Sequence, residues 1–130
     1  MKIIVIKGNP NSGKTTSIRL VYDLLLYKGA KIDKPRNSGK IYADFDTELL
    51  YNEKRVAITS AGDVLKNIHK TVSDHDGCDI LITASRNFKQ SSLDEIISDY
   101  DVEYIKKEKR GDEENISTAK EILQRVKLAL

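Results

Sequence analysis

Only one cysteine, Cys78, stands in the 130 residues, so no disulfide can form within the chain and a reducing compartment is expected. Long apolar runs are missing as well. The N-terminal stretch Ile3-Ile4-Val5-Ile6 is too short for a signal-peptide core or a membrane span, and the expectation is a soluble, cytoplasmic protein with no membrane partner. Neither sign of charge is in excess: 22 basic against 20 acidic side chains leave a net +2, so nucleic acid is a possible partner that the overall charge does not indicate. The cations still gather in two places, Lys31, Lys34, Arg36 and Lys40 first, then Lys106, Lys107, Lys109 and Arg110, a pattern shared by solvated loops and anion-facing ones. Repeats and low-complexity segments are absent, and the length suits a single domain, 1–130, with one core and no separate substrate domain.

What is present is an exchange of strand and helix patterns. Lys2 to Lys7 is a continuously apolar, β-branched run, as in a strand buried on both faces. A helix is predicted from about Gly13 to Lys28, with Ile18, Val21, Leu24 and Leu25 as its stripe and Gly29 as its stop. Ala30 to Lys40 reads as a loop. Ile41 to Tyr51 alternates, with Thr47, Leu49 and Tyr51 on one face and Asp44, Asp46 and Glu48 on the other, a half-buried strand turning at Asn52-Glu53 into Lys54 to Ser60. Then come a helix over Asp63 to Val72, a buried strand over Asp79 to Ala84, a helix opened by a Ser92/Glu95 capping box and running to Tyr100, a strand over Val102 to Ile105, and a last helix from Asp112 with Ile116, Ala119, Leu123 and Val126 facing inward.

This order predicts an α/β fold, a three-layer α/β/α sandwich with a mainly parallel sheet and an antiparallel β-hairpin at one edge. Ligands of such sheets sit beyond the carboxyl ends of the strands. That edge is expected to collect the segment after the first strand, Ser60 to Asp63, Ser85 to Asn87, Lys106 to Arg110 and the Asp44/Asp46 end of the hairpin.

The segment after the first strand, Gly8-Asn9-Pro10-Asn11-Ser12-Gly13-Lys14-Thr15, fits G-x-x-x-x-G-K-[ST] at every fixed position and continues with Thr16. Over Lys2 to Arg19, about a seventh of the chain, it resembles the P-loop NTPase superfamily, most closely small P-loop kinases and related ATPases. The resemblance implies the P-loop NTPase fold, ATP or GTP as ligand, Mg²⁺ as cofactor, and phosphoryl transfer to water or to an acceptor. It implies backbone N–H groups from Gly8 through Thr16 around the phosphates, Lys14 on the β- and γ-phosphates, and the Thr15 hydroxyl on Mg²⁺. The chain also departs from the superfamily. No strand ends directly in the metal-holding carboxylate, the guanine-specifying Asn-Lys-x-Asp motif is missing, which favours ATP over GTP, and the multi-arginine lid of nucleoside monophosphate kinases is incomplete.

Four further residues are candidates on that edge. Asp63 either serves Mg²⁺ or caps the helix that it precedes. Asp44 and Asp46, about 7 Å apart on one strand face, are either a solvated edge or the base that a kinase needs, with Asp46 the favoured one. Arg86 either stabilises transferred charge or is a surface arginine. Lys106 to Arg110 is expected to be a mobile cationic flap. His75, in the turn Ser73 to Gly77, falls on the opposite edge and is set aside as a metal ligand, and Cys78 is read as a small buried residue. The expectation is a Mg·ATP-binding kinase-like enzyme or ATPase with an unidentified phosphoryl acceptor or protein partner, or else a nucleotide-dependent switch or a catalytically inactive nucleotide-binding module.

Overall fold

The computed structural model describes residues 1–9, 12–34, 46–60, 65–86 and 90–130. The run from Lys2 to Lys7 is strand β1, with Ile3 to Ile6 fully buried. It is followed by α1 (Lys14–Tyr27), β2 (Lys31–Lys34), β3 (Asp46–Tyr51), β4 (Lys54–Thr59), α2 (Leu65–Asp74), β5 (Ile80–Ser85), α3 (Gln90–Ile97), β6 (Asp101–Lys106) and α4 (Asp112–Ala129). The strands form one six-stranded sheet in the order β2-β3-β4-β5-β1-β6. β4, β5, β1 and β6 run parallel, while β3 pairs antiparallel with β4 and β2 antiparallel with β3.

Period-2 alternation divides the core between the two faces of this sheet. Ile4 and Ile6 pack with Ile18, Val21, Ile122 and Val126 of α1 and α4 on one face. Ile3 and Val5 meet Ile68 and Val72 of α2 and Leu93 and Ile97 of α3 on the other. The expected layers and hairpin are therefore present. Residues Asn52 and Glu53 both take positive φ, 51° and 65°, the geometry of a two-residue turn whose twist matches the strands. α1 ends as predicted, with Gly29 at φ 101° and the Ala30 N–H donating to the Leu25 carbonyl.

Four expectations are corrected. The segment Ala30 to Lys40 is not all loop: Lys31–Lys34 is an exposed edge strand, hidden in the sequence because its alternating charges resemble a solvated turn. β3 is not half-buried, since Thr47 and Leu49 on one face and Glu48 on the other are all at most 2 % exposed. Ser92 stands in the third position of α3 and so is not its N-cap. On α4, Ile116 is 45 % exposed and the buried stripe runs through Asn115, Thr118, Ala119, Ile122, Leu123 and Val126 instead. Among the described residues no helix is long and apolar enough to cross a membrane.

Candidate phosphate-binding loop and a buried charge cluster

β1 runs directly into the Gly8–Thr15 segment, where backbone geometry explains both glycines. The Gly8 N–H donates to the Ser85 carbonyl at 3.0 Å. A Cβ on Gly8 would lie 2.2 Å from the Lys107 carbonyl oxygen and 2.8 Å from Ser12 Oγ, so no side chain fits there. Gly13 sits at φ 89°, the left-handed region, where a Cβ would meet Asn115 Oδ1 at 2.3 Å. α1 then starts at Lys14 with no side-chain N-cap and no acidic residue in its first turn, which leaves the positive end of its dipole without a carboxylate of that turn.

Lys14 is 8 % exposed, and its ammonium folds back over the loop, donating to the Gly8 carbonyl at 2.5 Å and the Asn9 carbonyl at 3.0 Å. Ser12 Oγ is buried with no hydrogen-bond partner among the described residues. Thr15 is half-buried and Thr16 exposed, while Pro10 and Asn11 lie outside the described residues. The orphaned Ser12 hydroxyl suits an oxyanion ligand whose oxygens take up the loop donors, while the room beside Gly8 is taken by the Lys107 carbonyl.

The loop has a wall in the Lys106 to Arg110 segment, which stands on the expected edge. The Lys107 N–H donates to the Lys7 carbonyl at 2.8 Å, locking the end of β6 to the end of β1. The Lys107 side chain is 2 % exposed and its ammonium donates to the Lys109 carbonyl. Burial pulls the Lys107 pKa down, against the pull of Glu114. The expected free cationic flap is thus corrected to a docked segment, at least at Lys107. Between it and the start of α4 opens a cleft of about 580 Å³, lined by Lys106, Lys107, Lys109, Glu113, Glu114 and Thr118 among others. Asn115 was also missed: its Oδ1 accepts from the Ser17 hydroxyl at 3.5 Å and closes α4 against Gly13 and α1.

Arg86 follows Ser85, which pairs with Lys7, so it stands beside the loop on the expected edge, exposed. The strands flanking β1 end in Ser85-Arg86 and Lys106-Lys107, without a carboxylate at either end. Asp63 and Asp44 lie outside the described residues. The strand before Asp63, β4, is separated from β1 by β5, about 10 Å away at the usual strand spacing.

Asp46 is placed at the same edge, opposite Thr59, yet it is not brought to the loop. Three strand spacings separate β3 from β1, about 14 Å, and its Oδ1 accepts from His75 Nε2 at 2.5 Å. The other ring nitrogen, Nδ1, donates to Glu48 Oε2 at 2.7 Å. His75 therefore reaches under β3 and bridges two carboxylates on one strand face. Burial alone would lower the His75 pKa, but the hydrogen bonds from Asp46, Cys78 and Glu48 outweigh it and raise the imidazole from 6.5 to about 10. Burial likewise raises Glu48, and the His75 and Lys34 hydrogen bonds reverse that and hold its carboxyl below 4.5. Lys34 Nζ lies 3.2 Å and Arg55 Nε 3.8 Å from Glu48, and Arg55 Nε also reaches Asp33 at 3.1 Å.

His75 was set aside as belonging to the opposite edge; the turn does precede β5, but the residue, just after α2, packs inward at 5 % exposure and its side chain spans to β3. The overlooked signal was the spacing His75-Asp76-Gly77-Cys78, two potential ligands closed into one turn by Gly77 at φ 95°. Compared with protein-family models, curated proteins and solved structures, the chain matches none of them.

Proposed function

We propose that the chain binds a nucleoside triphosphate, ATP before GTP, with Mg²⁺ at the Gly8–Thr15 loop, as a small P-loop kinase-like phosphotransferase or ATPase. One observation carries this reading: the Lys14 ammonium lies across the Gly8 and Asn9 carbonyls of a strand–loop–helix turn. An arriving phosphate offers Lys14 an ionised acceptor in place of these neutral carbonyls, at a helix start whose dipole already favours an anion. Thr15 would supply the hydroxyl that holds Mg²⁺, with Asp63 as the candidate carboxylate. Bound metal would neutralise charge developing on the phosphoryl oxygens. Arg86, beside Gly8, is the side chain best placed on the described edge to meet that charge. The cleft along Lys106, Lys107 and Lys109 leaves room next to the phosphates for the remainder of the nucleotide.

A second reading, a nucleotide-dependent switch or a module that binds without turnover, is favoured by the ends of β5 and β6, where no carboxylate flanks β1. Calorimetric titration with Mg·ATP tests the first premise of both. Lys14→Ala is expected to weaken binding at least ~100-fold, since charge-assisted hydrogen bonds contribute about 1.5–3 kcal/mol each, while leaving the melting transition in place. Equal affinities for wild type and variant would remove the phosphate-loop assignment. Phosphate release without any acceptor then separates an ATPase from a switch or inactive module.

A further inference from the structure

We propose that Glu48, His75 and Cys78 form a binding site for one zinc-class divalent cation, built into the fold on the far side of the sheet centre from the phosphate loop and independent of nucleotide binding. The donor atoms of these three residues all lie within 4.8 Å of one another. They come from separate places, Glu48 from the middle of β3 and His75 and Cys78 from the turn between α2 and β5. Each residue is at most 5 % exposed, so their convergence is a feature of the packed interior and not of a mobile surface.

Donor chemistry selects the ion. A thiolate, an imidazole and a carboxylate are a borderline-soft set that favours Zn²⁺ over Mg²⁺ or Ca²⁺, which take oxygen ligands. Tetrahedral zinc needs bonds of about 2.0–2.3 Å, hence donor separations of about 3.3–3.8 Å. The Nδ1–Oε2 pair at 2.7 Å must open by about 0.6 Å to meet this, and the widest donor separation, at most 4.8 Å, must close by up to about 1.5 Å.

The second ring nitrogen strengthens the assignment. With the ion on Nδ1, the Nε2–H still donates to Asp46 Oδ1, the carboxylate–histidine–metal arrangement that fixes the tautomer and ring plane of a ligating imidazole. Binding replaces the proton on Nδ1 and the proton on Cys78 Sγ, both released to solvent, and leaves Glu48 ionised as before. Three protein ligands leave the fourth tetrahedral position to a water, and the ion ties β3 to the α2–β5 turn.

The test uses the full chain, stripped with chelator and titrated with Zn²⁺ and, as a spectroscopic probe, Co²⁺. The expected result is one ion per chain, a thiolate-to-cobalt charge-transfer band assignable to the single cysteine, proton release on Zn²⁺ binding, and a higher melting temperature with Zn²⁺. Cys78→Ser, a near-isosteric change that keeps the packing, should abolish the band and weaken Zn²⁺ by more than ~100-fold, whereas Asp46→Asn, which alters only the orienting carboxylate, should cost about 10- to 100-fold. Absence of saturable Zn²⁺ binding and of the cobalt band in the wild-type chain would overturn the proposal, leaving the cluster as an ion-pair network. Binding that survives Cys78→Ser and Glu48→Gln unchanged would overturn it equally, by placing the ion elsewhere.

Discussion

Lys14 at the start of α1 and His75 in the turn after α2 are both buried cations packed against one sheet, and the groups seen around them differ in kind. The Lys14 ammonium is bound by the backbone carbonyls of the loop it belongs to, whereas the His75 imidazolium lies between two carboxylates. Neutral dipoles bind a cation more weakly than charges do. On the proposed function a phosphate would displace the Gly8 and Asn9 carbonyls from Lys14, while at His75 only another cation competes for the same acceptors. On the proposed function, the first place would receive an anion, whereas the carboxylates around His75 make the second a clamp, open at most to a metal.

If the cluster is a clamp, breaking it should damage stability far more than ligand binding. In the metal-free chain His75→Ala leaves Glu48, 2 % exposed, without its closest partner, and loss of one member of a buried pair typically costs about 3–5 kcal/mol. The lower end is expected because Lys34 and Arg55 still reach Glu48. Urea unfolding measures this, and Mg·ATP affinity of the folded variant should stay within about threefold of wild type. A large loss of affinity with unchanged stability would reverse the comparison.

Proton linkage gives a milder perturbation of the same residues. In the unfolded chain His75 titrates near 6.5 and in the folded metal-free chain near about 10, so between these values the folded state holds the extra proton. The stabilisation is complete below about pH 6.5 and is lost as pH rises through about 10. Glu48 acts with the opposite sign: its carboxyl is held below 4.5, so its contribution is present above that value and fades as pH falls through the lowered one. Melting temperature in chelator should thus fall between about pH 7 and 10, and His75→Gln should flatten that alkaline limb. A limb of the same slope in the variant would place the titrating group elsewhere.

The two places also differ in how far the sequence revealed them. The proposed phosphate loop is local: Gly8, Gly13 and Lys14 fall within a single turn from β1 into α1, so their spacing survives in one dimension. The cluster is not local. Glu48 and His75 are 27 residues apart, and only the α2 crossover that docks β5 beside β4 brings them together. The alternation of β3 marked Glu48 as solvent-facing, because alternation reports polarity and cannot tell water from a buried imidazolium. Local signals also failed where charge disguised an edge strand, at Lys31–Lys34, and where Asn115 packs against Gly13 across the α1–α4 contact.

The smallest expected effect lies in the hairpin that carries one side of the clamp. Glu53 holds φ 65° at the second turn position, after Asn52 at 51°. Asn tolerates the left-handed region, but Glu has no local hydrogen bond to offset the clash of its Cβ, a cost of about 1–2 kcal/mol for an ordinary side chain. Glycine removes that clash and completes the Asn-Gly pair preferred in such turns, at the expense of greater freedom in the unfolded chain. Glu53→Gly should therefore stabilise the protein by about 0.5–1 kcal/mol, a rise of roughly 2–5 °C in melting temperature. Because the turn lies at the opposite end of β3 from Asp46 and far from Gly8, Mg·ATP affinity should not change. A lower melting temperature would mean that Glu53 makes a contact worth more than its backbone strain, and would remove the turn as an independent adjustment of the strand that holds Glu48.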